Sequence, residues 1–350
     1  MSFLVLGIES SCDETAAAVV ENGNNTLSNV VSSQVDIHKE FGGVVPELAS
    51  RKHIETIIPI IKKSLKDAKI NLQDIDGIAA TAGPGLIGSL MVGHSTAKAI
   101  SYSSEIPFIG INHLEAHLCA IFLEHEIPFP FIGLIVSGGH TSLYLVNSHI
   151  DYEMVGKTLD DAAGEAFDKG AKVLGLSYPG GLAVDQLSKK GNRKAINFPR
   201  PFLKNGPIDF SFSGLKTSLV NYLHKNPGYD DSQLSDICAS YQEAIVESLV
   251  LKTLNAAKKY NVKSVVIAGG VACNSRLREY SEEKIKNENI NLYIPSPKYC
   301  TDNAAMIAAL GYYKLKSGYT SEFTTTPYST SRPKIKRGSG IIKDSTVYTS

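Results

Sequence analysis

The chain has 350 residues, 43% of them hydrophobic and 20% charged, with Lys+Arg and Asp+Glu both at 35. This is ordinary globular usage, long enough for two domains of about 150 residues, and the balanced charge gives no sign of a nucleic-acid partner beyond what a local basic patch would bind. The five cysteines (Cys12, Cys119, Cys238, Cys273, Cys300) are scattered without CxxC spacing, which argues against a disulfide framework and a thiolate zinc site and fits a reducing cytosol.

Residues 1–8 lack the charged and long apolar regions of a signal peptide, and no apolar run approaches the roughly 18 residues of a membrane helix. The expectation is a cytoplasmic protein without a membrane span. In chain order, residues 3–8 predict a buried strand, residues 9–15 (ESSCDET) a polar turn, residues 16–20 a returning strand and residues 26–35 a third. Pro46 opens a long helix in which Ile54, Ile57, Ile58, Ile61 and Leu65 keep a 3-4 rhythm, which predicts a shared apolar face. Residues 75–80 predict another strand, ended by AGPGL, and a small-residue-rich helix then runs to about residue 104.

Residues 107–111 read as a buried strand that leads into INHLEAHLCA at 111–120. His113 and His117 stand four apart there, so a helix stacks both imidazoles on one face, a turn apart. Two neutral histidines so placed can hold one divalent metal at about 2.0–2.1 Å. Alternatively they are polar groups of a helix surface, and a third ligand elsewhere would decide.

Residues 130–136 (strand), 137–141 (SGGHT, turn) and 142–146 (strand) repeat the pattern of residues 4–20. The repetition predicts an α/β protein of two lobes related by duplication, each a sheet flanked by helices. A Pro-Gly-Gly turn at 179–181, a basic segment at 189–204 and a helix after Ser213 follow. A longer helix over 234–260 then places Ile237, Tyr241, Ile245 and Leu249 on one face. Residues 264–268 form a buried strand ending in Gly269-Gly270, residues 291–294 the last strand, and residues 302–316 the last helix. Beyond Gly318 the chain turns Ser/Thr-rich and then carries Lys334, Lys336, Arg337 and Lys343, which reads as a mobile or partner-dependent tail.

Three small-residue turns (9–15, 137–141 and 269–274) each follow a buried strand. Amide-lined concavities of this kind bind phosphates, and ligands of doubly wound sheets lie beyond the carboxyl ends of strands. Together the turns describe a cleft that grips a nucleotide, although each alone is also a plain structural turn. Asp302 opens the last helix at another strand end, as a helix cap or as the third metal ligand; a His, His, Asp set with open positions suits a metal that also touches substrate oxygens. Asp13, Glu14, Asp168 and Asp185 are further candidate acids, and Gly181 and Asp185 enter a helix where a ribose or purine edge would sit. Lys189, Lys190, Arg193, Lys194, Arg200 and Lys204 form the densest positive patch and the first choice for phosphate-backbone contact.

Nine blocks in order resemble the tRNA adenosine threonylcarbamoyltransferases, bacterial TsaD branch. They are GIESSCDET (7–15), GGVVPELASRKH (42–53), TAGPGLIG (81–88), HLEAH (113–117), VSGGHT (136–141), DDAAGEAFDK (160–169), FSFSGLKT (210–217), AGGVACN (268–274) and CTDNAAMIA (300–308). The resemblance covers residues 3–320, and His140 matches the bacterial form. It implies a two-lobed actin/Hsp70/sugar-kinase-like (ASKHA) fold, with lobes at 1–128 and 129–325 and a basic tail at 326–350. It also implies transfer of threonylcarbamoyl from threonylcarbamoyl-adenylate to N6 of the adenosine beside the anticodon, in tRNAs that read codons beginning with A.

Carried over residue by residue, His113, His117 and Asp302 would ligate iron or zinc. Val136, Ser137, Gly138, Gly139, His140, Asp168, Gly181, Asp185 and Asn274 would bind the adenylate, and the same interlobe cleft would take ATP or ADP. Asp13 and Glu14 would lie near the reacting carbonyl, where either could accept the amine proton. The implied partners are tRNA, TsaB through the first lobe and the ATPase TsaE. The chain departs from the family pattern after Arg332-Pro333.

Three rival readings remain. A zincin protease needs HExxH, and Leu114 stands where its glutamate would be, with Glu115 pointing off the metal face. A non-catalytic nucleotide-binding scaffold would not need His113, His117 and Asp302. A carbohydrate kinase of the same superfold would need a catalytic Asp beside a sugar pocket, and none can be picked out.

Overall fold

Six consecutive buried residues, LVLGIE, put β1 (Leu4–Glu9) at the centre of a five-stranded sheet. The computed structural model describes residues 2–200 and 208–330, so Lys204 and the basic residues after Arg332 lie outside the described residues. β2 (Glu14–Glu21) and β3 (Asn25–Ser33) continue from β1 as an antiparallel meander. After α1 (Val35–Lys39) and α2 (Pro46–Ala68), β4 (Gly77–Gly83) joins the other edge of β1 in parallel. After α3 (Ile87–Ser104), β5 (Phe108–Asn112) extends that edge and runs directly into α4 (His113–Cys119).

The second sheet repeats the plan. β6 (Phe131–Val136), β7 (Thr141–Ser148) and β8 (Asp151–Lys157) form an antiparallel meander. Four helices follow: α5 (Ala163–Val173), α6 (Gly180–Ser188), α7 (Ser213–Lys225) and α8 (Asp231–Lys259). β9 (Ser264–Ala268) then joins β6 in parallel and, after α9 (Ser275–Ile285), β10 (Asn291–Tyr293) joins β9. The strand orders are β3-β2-β1-β4-β5 and β8-β7-β6-β9-β10, one topology used twice. The duplication expected from two strand–turn–strand units therefore extends to whole sheets. Strand β8 was not expected: its alternating exposure gives it one apolar side only, so it lacks the apolar run that marked its neighbours.

The chain closes with α10 (Pro297–Cys300) and α11 (Ala304–Lys316). The segment AAMIAALG of α11 is buried all round, as a helix apolar on every face requires. It shares one core with α4 and with residues of both sheets, among them Val5 and Ala79 from the first and Phe131 and Ile135 from the second. Small residues permit this close seating: a Cβ added at Gly7 would stand 2.3 Å from the Ala304 carbonyl, and one at Gly311 would stand 2.5 Å from the Ala79 Cβ. The two helices that hold the residues of interest are thus fixed between the sheets.

Two expectations are corrected. On α2 the buried positions are Ala49, His53, Ile57, Ile61 and Ser64, whereas Ile54 and Ile58 are 65% and 44% exposed. The apolar stripe is wider than the face the sheet covers, and the polar groups of His53 and Ser64 sit inside because each finds a hydrogen-bond partner there. The Ser/Thr-rich stretch after Gly318 is bonded to the first lobe as far as Tyr328. Ser321 N donates to Phe108 O (2.8 Å), Ser321 Oγ accepts from Gly110 N (3.0 Å), Tyr328 N donates to Ala82 O (2.8 Å), and the Lys98 ammonium donates to Phe323 O (2.9 Å).

Candidate metal and nucleotide site

Strand β5 ends at Asn112, whose side-chain oxygen accepts from Leu114 N (2.9 Å) and Glu115 N (3.1 Å) and so caps α4. That cap starts the helix at His113 and sets His117 one turn further on, with ring centroids 4.7 Å apart. Asp302 comes from the turn before α11. It does not cap that helix; Asn303 does, accepting from Met306 N at 3.1 Å. The freed Asp302 Oδ1 lies 3.0 Å from His117 Nε2 and 3.5 Å from His113 Nε2. The three ligand atoms fall within 4.8 Å of one another, a set that can hold a metal ion.

A fourth residue completes the group. Glu9, the fully buried end of β1, places Oε2 3.0 Å from His113 Nδ1 and accepts from Thr81 Oγ1 at 2.7 Å. Nδ1 is therefore directed at Glu9, which leaves Nε2, the nitrogen facing Asp302, as the one that would face a metal once the ring gives up its second proton. Burial disfavours a charged His113, but Asp302 and Glu9 outweigh it and hold the ring protonated well above its usual range. Burial likewise opposes the Asp302 charge, and the two histidines overcome it, keeping the carboxyl ionised far below its ordinary value. Glu115 faces away and pairs with Lys314 at 3.0 Å, as the mismatch with a protease motif requires.

Through His113 and Asp302 the triad reaches the wall of a cleft of roughly 880 Å³, within the range of small-molecule sites, with His117 buried behind them. All three small-residue turns line it, through Ser11–Glu14, Ser137–His140 and Gly270, Val271, Cys273 and Asn274, together with Asp168, Gly181 and Asp185. Gly269 has φ +98°, and a Cβ there would stand 2.4 Å from the Val136 carbonyl, so this approach of two turns needs glycine. Val136 itself is the last residue of β6, with its side chain in the second-sheet core and outside the cleft lining.

Several candidate side chains are occupied in building the walls. Asp168 Oδ1 accepts from Gly180 N at 2.8 Å and pins the Pro-Gly-Gly turn. Asp185 holds Ser275 through its hydroxyl (2.8 Å) and its amide (3.3 Å). Asn274 accepts from Leu277 N (2.9 Å) at the start of α9 and donates to Gln242 (2.7 Å). Asp13 and Glu14 both line the cleft; burial, then the charges of Asp302 and Asp13, pushes Glu14 up to about 9. Burial, and behind it the two neighbouring histidines, lowers His140 to about 4, so its ring is neutral.

Sequence reasoning missed Glu9 and His53. The signal for Glu9 was a carboxylate closing an otherwise apolar strand. His53 reaches from α2 to the Cys12 carbonyl (2.9 Å) and Thr15 Oγ1 (2.8 Å), holding the turn that carries Asp13. In the basic segment, Arg193 and Arg200 pair with Glu279 (2.9 Å) and Glu247 (2.6 Å), while Lys189, Lys190 and Lys194 remain exposed. Among the described residues no helix is long and apolar enough to cross a membrane.

Two lobes of one topology around a nucleotide-sized cleft define the class: the two-lobed actin/Hsp70/sugar-kinase-like proteins. Among solved structures, T. kodakarensis HypF superposes with a TM-score of 0.63 at 14% identity, over 90% of this chain and 48% of that one. The Acidaminococcus fermentans (R)-2-hydroxyglutaryl-CoA dehydratase component A gives 0.52 at 17% identity, over 90% and 99%. Such distant likenesses carry the fold alone. The sequence profile of TsaD, tRNA N6-adenosine threonylcarbamoyltransferase, matches residues 25–309. Proteins of that name from Geotalea uraniireducens (56% identity, 91% of this chain, 94% of the relative) and Syntrophus aciditrophicus (55%, 93% and 96%) align almost end to end. The chain belongs to the TsaD family of tRNA-modifying transferases.

Proposed function

We propose that this chain transfers the threonylcarbamoyl group of threonylcarbamoyl-AMP to N6 of the adenosine adjacent to the anticodon, in tRNAs that read codons beginning with A. Family membership supports the reaction, and one observation supports placing it here: Asp302 meets His113 and His117, and Asp302 and His113 line the cleft that all three small-residue turns also line. His113, His117 and Asp302 would hold one divalent ion, iron most suited and zinc also accommodated by two imidazoles and a carboxylate. The fit rests on the converging Nε2 and Oδ1 atoms and on Glu9 behind His113. When bound, the metal supplies Lewis-acid polarisation of substrate oxygens.

The protein's own residues do the rest. The turns at Ser137–His140 and Gly270–Asn274, with Asp168, Gly181 and Asp185, hold the adenylate. The N6 amine attacks the carbamoyl carbon, the bond to the phosphate oxygen of AMP breaks, and AMP leaves as the anion. The amine's proton passes to the enzyme, with Asp13 and Glu14, which both line the cleft, as the acceptors. Such general-base help is worth about 10²–10⁴-fold, and orientation of an already activated carbonyl supplies the larger share.

In this reading residues 1–128 and 129–325 act as lobes, the exposed Lys189, Lys190 and Lys194 face tRNA phosphates, and the protein works in the cytoplasm. The partner-binding face of the first lobe is the apolar strip of Ile54 and Ile58 on α2 with Ile87 and Met91 on the adjoining α3, all exposed. That strip would take TsaB, with TsaE as the accompanying ATPase. The test is direct. The protein is incubated with tRNA, threonine, bicarbonate, ATP and an extract lacking it, and the nucleosides are read by mass spectrometry. Appearance of threonylcarbamoyladenosine only when the protein is added supports the proposal; an unchanged nucleoside profile sinks it.

A further inference from the structure

We propose that Tyr328, on the strap that follows α11, is a positioning residue for the metal site and acts through Asn112. This rests on the reading of His113, His117 and Asp302 as ligands. Asn112 is the residue immediately before His113, and its side chain is used at both ends. Its oxygen accepts the two amides that start α4, and an oxygen can only accept, so the amide nitrogen must be the end that donates to Tyr328 OH at 3.1 Å. The Tyr328 hydroxyl thus fixes the rotation of the cap from which His113 leaves. Because α4 has only seven residues, the cap governs much of its orientation.

The backbone is arranged to receive this strap. Tyr328 N donates to Ala82 O at 2.8 Å, beside the irregularity between Thr81 and Gly83 where β4 pairs with β5. Gly83, the partner of Asn112 in that pairing, has φ +144°, and a Cβ there would stand 2.1 Å from the Tyr328 carbonyl. A glycine is required at that point because the strap passes over it. The next residue, Ser329, lines the nucleotide cleft. The Lys98 ammonium donates to the carbonyls of Phe323 and Thr325, and Tyr102 meets the Phe323 ring edge-on at 5.7 Å, so the strap is anchored before it reaches Asn112.

The test is zinc(II) titration of the metal-stripped full-length chain by calorimetry, in wild type, Tyr328→Phe, Asn112→Ser and the double variant. Phenylalanine keeps the ring and the backbone bond while removing the hydroxyl, and serine keeps a capping oxygen while removing the amide donor. The expected result is one zinc per wild-type chain, about tenfold weaker binding for Tyr328→Phe, the low end for outer-shell partners, and no further loss when it is added to Asn112→Ser. Unchanged affinity in Tyr328→Phe, or a lower melting temperature of the metal-free protein with unchanged affinity, overturns the proposal while leaving the metal site standing. Wild-type protein that takes up no zinc overturns both.

Discussion

Glu9 Oε2 sits 3.0 Å from His113 Nδ1, joining the last residue of the central strand to the first residue of the metal helix. Glu9→Gln keeps the size and the Thr81 contact but removes the charge that fixes the imidazole. Outer-shell carboxylates of this kind carry about 10–100-fold in metal affinity. We expect a loss in that range, measured by zinc titration, with the metal-free protein still folded. Wild-type affinity would show that Glu9 serves only the packing of β1.

Asp302→Ala removes the anionic member of the ligand set without touching the cap of α11, which belongs to Asn303. The helix should therefore stay in place. Metal affinity should fall by more than the roughly 10–100-fold of an outer-shell change, and threonylcarbamoyladenosine formation should be abolished. A metal-replete, fully active variant would falsify the ligand assignment.

Much of this site was legible because its chemistry depends on short spacings. His113 and His117 are related by one helical turn, and the three small-residue turns each follow an apolar strand, so local sequence carried both. Glu9 was not legible in the same way. Its partner lies 104 positions away, and only the assembled sheet brings them together. Ile54 and Ile58 fit the helical rhythm as well as Ile57 and Ile61 do, yet they lie outward because periodicity shows the width of a stripe and not what covers it. The strap at 319–330 is rich in Ser and Thr, and it is held by backbone carbonyls and amides, the Lys98 ammonium and the hydroxyls of Ser321 and Tyr328, groups that leave no periodic trace.

Of the five cysteines, Cys273 should react first. A hydrogen bond from Cys300 is the main cause that lowers its thiol to about 7, with Arg278 adding to it against burial. Burial pushes Cys12, Cys119 and Cys238 up, and Cys300 rises chiefly through that same bond to Cys273. A lowered thiol pKa leaves thiolate present above about pH 7, so alkylation of Cys273 by iodoacetamide should climb through that pH and plateau above it. Because Cys273 lines the cleft, AMP should slow the reaction. Peptide mass spectrometry across pH 5.5–9, a range of about three and a half units around that pKa, would show it; equal labelling of Cys12 would contradict this environment.

Two glycine substitutions separate what backbone and side-chain obstacles cost. A Cβ at Gly7 would meet the Ala304 carbonyl at 2.3 Å and the Ala308 amide nitrogen at 2.8 Å, both part of a buried helix that cannot step aside alone. A Cβ at Gly133 would meet first the side chain of Leu118, its Cδ2 at 2.5 Å and its Cγ at 3.2 Å, and a leucine can change rotamer. Gly7→Ala should therefore cost about 3 kcal/mol or more, the upper end for overpacking, and Gly133→Ala about 1 kcal/mol. The two differ in function as well. Whatever moves α11 off β1 moves the turn that presents Asp302, so Gly7→Ala should also weaken zinc binding, while Gly133→Ala presses on the far end of α4, beyond His117, and should leave it nearly intact. Denaturant unfolding and zinc titration on the same pair of variants check both halves. Equal costs would mean that α11 is less firmly seated between the sheets than its burial implies.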